Sequence, residues 1–195
     1  MGIFKIRLFR GRSPRRSGSH APANATPIRS VRRKFLLRGE EYSVVLRPEA
    51  ERNRLTVREQ TFVVSLSPST RENFDRFMQE WYRRQARKTF QAAVDRWLPL
   101  FAAAGHALPR PRLKIFAMRR AWGRCYYTKG LITLNLHLVK TPSTCIEYIV
   151  LHELCHFVVS NHSQAFYRLV ASFLPEWRAA DELLKTFARE RRVIR

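Results

Sequence analysis

Ile146, Ile149, Val150, Leu151, Leu154, Phe157 and Val158 fall at positions that, on a helix, cover almost the whole circumference. A helix that is apolar all round has to be buried. The helix that carries them, opening near Thr141 to Thr144, is therefore expected inside the molecule. Yet the same stretch carries His152-Glu153-Leu154-Cys155-His156. Two imidazoles and a carboxylate are costly inside an apolar layer unless something compensates them. Any fold for this chain must accommodate both facts.

Spacing offers a way. Residues four apart lie on one helical face, about 5–6 Å apart, so His152 and His156 can grip one metal ion. Glu153 lies about 100° further round. It is a poor ligand there but can reach a water that the metal holds. This is the geometric logic of the H-E-x-x-H zinc hydrolases. A third ligand is needed. His162 is the first candidate, provided the chain turns after His156, because a continuing helix would rotate it about 240° away. Ser160-Asn161 offers that stop, since Asn tolerates the left-handed conformation. Glu176 is the rival third ligand. Between Arg96 and Pro175 the only carboxylates are Glu147 and Glu153. A divalent ion would compensate Glu153; an ion pair with an arginine is the alternative.

The remaining polar groups are read more plainly. Glu147 is expected to cap its helix, and Cys155 to be a buried structural thiol. Cys125 stays open as a neighbour of the metal and as the fourth ligand that a closed, structural site would need. Tyr126, Tyr127 and Tyr148 have the chemistry to donate to an oxyanion, but packing is the first reading. His20, His106 and His137 are placed outside the site.

Around the central segment the pattern is α+β. Short strands at 34–37, 42–46, 54–57 and 61–66 predict a small antiparallel sheet. Ser69 or Thr70 can cap a long helix from about Arg71 to Ala104, which Gly105 ends. Strands follow at 113–118, 121–128 and 131–139, turning at Lys129-Gly130. In the last, Ile132, Leu134, Leu136 and Leu138 alternate with Thr133, Asn135 and His137. Its edge is expected to pair with an extended peptide, placing Thr133 and Asn135 near the cleft. A capping box of Thr144 and Glu147, or Thr141 with Pro142, opens the buried helix. Two helices, about 163–174 and 176–190, complete the chain.

Composition bears on partners and compartment. The 195 residues suit one domain with a tail, and a 45% hydrophobic share excludes wholesale disorder. Lys and Arg number 37 against 15 acids, a net charge of +22. Residues 1–38 hold 11 of those cations and no acid. Residues 1–30 are read as a flexible basic tail and 31–195 as the domain. The excess favours contact with nucleic acid or nucleotides, without naming a reaction. Three cysteines cannot all pair, there is no signal-like apolar run, and no stretch approaches 18 apolar residues. A cytoplasmic protein with no membrane contact is expected.

Several motifs in order resemble one family. They are Trp122-Gly123-Arg124-Cys125, Lys129-Gly130, Leu134-Asn135, Tyr148, the His152–His156 motif, Asn161-His162-Ser163, Phe166-Tyr167 and Leu174-Pro175. Together they resemble the YgjP-like family of bacterial zinc metallopeptidases, which is related to the SprT-like group. The likeness covers residues 80–180 well and the N-terminal strands loosely. It implies a zincin-like α+β fold and one Zn2+ ion on His152, His156 and His162. It also implies Glu153 as the general base that activates a zinc-bound water, and a protein or peptide substrate. Arg124 departs from the family, which usually has Ser there, and adds a cation if its segment borders the cleft. The 4-then-6 histidine spacing is also that of metzincins, which have Gly where this chain has Val159. Two further readings are a zinc-dependent nucleotide or phosphoanhydride hydrolase, for which no Gly-rich phosphate loop is present, and a nucleic-acid-binding module with a structural metal site.

Overall fold

The computed structural model describes residues 30–48 and 51–191, so the tail expected over residues 1–30 lies almost wholly outside the described residues. Four strands open the chain: β1 (Val31–Leu37), β2 (Glu40–Pro48), β3 (Arg54–Arg58) and β4 (Thr61–Leu66). They form one sheet in the order β1-β2-β4-β3. β1–β2 and β3–β4 are antiparallel, but β2 and β4 run parallel. The sheet is therefore mixed rather than wholly antiparallel. The reason lies in β4, whose Phe62, Val64 and Leu66 are fully buried and suit an inner position. β3 has Arg at both ends and takes the edge.

Helix α1 (Arg71–Ala103) is the spine of the molecule. Thr70 is its N-cap, accepting a hydrogen bond from the Asn73 amide. Near its start, Phe74 and Trp81 pack on the first sheet, with ring centroids 5.9 Å from Phe35 and 5.0 Å from Phe62 respectively. Near its end, Phe101 stacks on Phe173 at 4.2 Å. The helix thus joins the N-terminal sheet to the second half of the chain.

That half begins with a three-stranded sheet of β5 (Arg112–Phe116), β6 (Gly123–Tyr126) and β7 (Leu131–Asn135), in the order β5-β7-β6. The last strand is shorter than its alternation predicts. Residues 136–140 form a 3-10 turn instead, because the Asn135 side chain accepts the His137 amide and bends the chain. β7 has neighbours on both sides, so no edge of it is free for a peptide. Thr133 and Asn135 are buried rather than near the cleft.

Helix α2 (Ser143–Cys155) follows, packed against β6, α1, α3 (Gln164–Phe173) and α4 (Trp177–Arg191). Ile146, Val150, Leu151, Leu154 and Cys155 are enclosed, but the helix ends before Phe157 and Val158, which are half-buried and exposed. Its start differs from both capping schemes. Pro142 is the N-cap, the Thr141 hydroxyl donates to the Leu138 carbonyl, and Glu147 pairs with Arg96 of α1. Ser143 and Thr144 already lie inside the helix, so neither can cap it.

The β1–β2 turn reaches across to this region. The amides of Arg38 and Gly39 donate to the carbonyls of Val139 (3.0 Å) and Lys140 (2.9 Å). Gly39 has φ +89, and a Cβ there would lie 3.1–3.2 Å from Pro142, so conformation and space both call for glycine. Among the described residues no helix is long and apolar enough to cross a membrane.

Candidate metal centre

Three histidines converge where α2 ends. His152 and His156 share one face of the helix, and His162 returns from the segment before α3. One ring nitrogen from each lies within 4.8 Å of the other two. His152 Nε2 and His162 Nε2 are 2.9 Å apart. The return is made earlier than Ser160-Asn161. α2 stops at Cys155, and the amides of Phe157 and Val158 bond three residues back, tightening the chain into a 3-10 turn. Asn161 is not left-handed.

The imidazoles have the chemistry of ligands. Burial and the neighbouring rings of His156 and His162 lower His152 to about 4. Burial lowers His156 as well. Both are then neutral at pH 7, the form that binds a metal. His156 Nδ1 lies 3.2 Å from the Val159 carbonyl oxygen; donating to it leaves Nε2 free with its lone pair. His152 Nδ1 is buried and lacks a partner, so Nε2 is its available ligand atom. On a tetrahedral zinc ion, nitrogens bound at about 2.0–2.1 Å stand about 3.4 Å apart. The observed spacings bracket that value, and the donor set fits zinc.

Glu153 is buried, at 5% exposure. Burial pushes its carboxyl up to about 8. It makes no ion pair among the described residues, so the arginine partner considered as an alternative is not observed. A cation at the three histidines would favour its ionised form. Its side chain lies against the backbone of β6 at Gly123.

A cleft of about 400 Å3 opens onto these groups. It is lined by residues 123–127 and by His152, Glu153, His156, Ser160 and His162. Arg124 therefore does border it, as do Tyr126 and Tyr127. Tyr148 is buried beside His152, at 5.9 Å between rings, and lies outside the lining. Cys125 lines the cleft but is not one of the converging donors; burial and Glu153 push its thiol up to about 12. Cys155 is fully buried, as expected. Glu176 is elsewhere, in an apolar groove of about 650 Å3 with Trp97, Leu100 and Leu183. It does not join the histidines. His106 and His137 also lie apart from them, and His20 is outside the described residues.

One contributor is not visible in the motif. Phe166 of α3 is fully buried, and its ring centroid lies 4.8, 4.5 and 4.9 Å from those of His152, His156 and His162. It is a common platform for all three rings. With Val170, four residues on, it forms the buried side of α3.

The geometry defines a class: an α+β protein with a preformed histidine cluster of the kind that takes a divalent metal. Residues 16–187 match the family described as YgjP-like, metallopeptidase domain. The chain belongs to that family, and its metallopeptidase domain spans most of its length. No curated protein sequence matches it. Two solved structures are similar to it in part. One is the metallopeptidase zymogen of Pyrococcus abyssi abylysin, 24% identical, with a TM-score of 0.41 over 50% of this chain and 93% of that one. The other is the metallopeptidase zymogen of Methanocaldococcus jannaschii jannalysin, 18% identical, with a TM-score of 0.41 over 52% and 95%.

Proposed function

We propose that this protein is a zinc-dependent peptidase in which His152, His156 and His162 hold one zinc ion and Glu153 is the general base. The convergence of three imidazoles at the foot of a cleft that an enclosed carboxylate also lines carries this reading. A bound zinc ion lowers the pKa of water toward about 7 and polarises a scissile carbonyl. Glu153 then accepts the proton of the attacking water on its carboxylate and later delivers it to the leaving amine nitrogen.

The substrate's place follows from β6. Side chains alternate along a strand, yet residues 123–127 all line the cleft in succession. It is therefore the strand's backbone edge that borders it, and β6 is an edge strand. An extended peptide can add to that edge through main-chain hydrogen bonds. Arg124 makes no ion pair among the described residues and sets a cation on the rim. Acidic side chains of a peptide suit that position.

Elemental analysis and casein cleavage test the reading together. One zinc per chain is expected, lost in His162→Ala. Glu153→Gln should keep the zinc and lower kcat by about 10²–10⁴-fold. Full zinc retention in His162→Ala sinks the ligand assignment, and activity surviving in Glu153→Gln sinks the base. Phosphate release from nucleoside triphosphates in place of casein cleavage would overturn the peptidase reading.

A further inference from the structure

We infer that Gly123 is a positioning residue for Glu153: the side chain that Gly123 lacks is the space in which the carboxylate lies. The inference rests on the reading of Glu153 as the base. A Cβ built on Gly123 would stand 2.7 Å from both Cγ and Cδ of Glu153, and closer still to Oε1. Carbon atoms in real side chains do not approach so closely.

Nothing else at Gly123 calls for glycine. Its φ is not among the positive ones, which belong to Gly39, Gly105 and Gly130. It pairs with Leu134 in regular antiparallel register. Within a strand, glycine is a poor choice on propensity and entropy alone. The one demand for a bare Cα is the approach of Glu153 across the α2–β6 contact.

The displacement caused by a methyl group there would fall on the carboxylate. α2 is locked on several sides by α1, α3 and α4, and β6 is tied to β7. The far end of a glutamate has three rotatable bonds and is the softest of the three. Gly123 touches no reacting atom. It acts by letting Glu153 lie against the strand that borders the cleft, which both residues line.

Gly123→Ala tests this beside wild type and Glu153→Gln. The variant should bind one zinc per chain. Its kcat for casein should fall about 100-fold with KM nearly unchanged, the usual cost of a misplacement of about 1 Å. Its crystal structure, a readout independent of any substrate, should show the carboxylate moved by about 1 Å or more with the histidines in place. Glu153→Ala supplies the second arm, because it removes the Cγ, Cδ and Oε1 that the added methyl would meet. Gly123→Ala should lower Tm less in that background than in wild type. A carboxylate in its original position, or a fall in Tm as large in the Glu153→Ala background as in wild type, overturns the inference. Loss of activity in Glu153→Gln with full activity in Gly123→Ala overturns it while leaving the base assignment standing. Activity retained in Glu153→Gln removes the base, and this inference with it. Where Gly123→Ala does not fold, the same methyl must be tolerated in Glu153→Ala; failure to fold there too is fatal.

Discussion

Phe166 orders the imidazoles much as Gly123 orders the carboxylate. Its ring meets those of His152 and His162 edge-on and stacks on that of His156 at 28°. Such contacts contribute about 0.5–1.5 kcal/mol each and fix ring orientation. Phe166→Leu is expected to fold while weakening zinc affinity about 10–100-fold, as loss of a supporting contact does. Competition with a chromophoric chelator measures it, and an unchanged affinity would mean that the rings are held by other neighbours. At this scale the sequence is legible for His152 and His156, whose spacing of four sets them on one helical face, and for His162 only on the condition that the chain turns after the helix, as it does past Cys155. Phe166 is not legible. A phenylalanine on the inner face of a helix looks the same whether it fills a core or floors a metal site, and the difference arises only when α3 folds back.

Among the elements, β7 shows where pattern and structure part. Leu136 and Leu138 extend the alternation past Asn135, and the turn buries both, together with Val139. What ends it is a hydrogen-bond network that no period reveals. Asn135 donates to the carbonyls of Met118 and Ala121 at 2.8 Å, and accepts from the amides of Met118 and His137. It thereby fixes the connection that delivers β6 to the cleft. Asn135→Ala strands several buried partners and is expected to cost about 3 kcal/mol. That lowers Tm by roughly 6–12 °C in a chain of this size. A shift of a degree or two in a thermal melt would show that water replaces the amide. The parallel pairing of β2 with β4 is hidden for a related reason. The strands themselves are readable from β-branched and aromatic runs, but the order of strands depends on which hairpin is inserted, and β4 wins the centre by apolar content.

For the molecule as a whole, Glu153 and the histidine cluster should leave a mark on stability against pH. In metal-free protein Glu153 sits at about 8, up from the ordinary 4.5. Between those values the folded state holds a proton that the unfolded state has shed, so stability falls as pH rises, by up to about 1.4 kcal/mol per unit. His152 acts oppositely. It sits at about 4, down from 6.5, and its contribution to stability rises with pH over that range. The two offset each other between about pH 4.5 and 6.5, where His156, lowered by burial as well, adds a rise, and a net decline follows from there to pH 8. Denaturant titrations of chelator-treated protein at pH 5.5, 6.5 and 8 should show it, with Glu153→Gln abolishing the decline. A flat profile in wild type would mean that the carboxylate is already relieved without metal.

The turn at Arg38-Gly39 has a bearing on all of this. Its two amides are bonded to the carbonyls of Val139 and Lys140, just ahead of the point from which α2 departs. The four N-terminal strands are therefore no detachable cap. To melt by themselves they would have to abandon the segment that launches the histidine helix, and the helix would lose its anchored start. The strands and the histidine helix are therefore expected to unfold in one transition rather than two, with sheet and helix signals coincident in a denaturant titration.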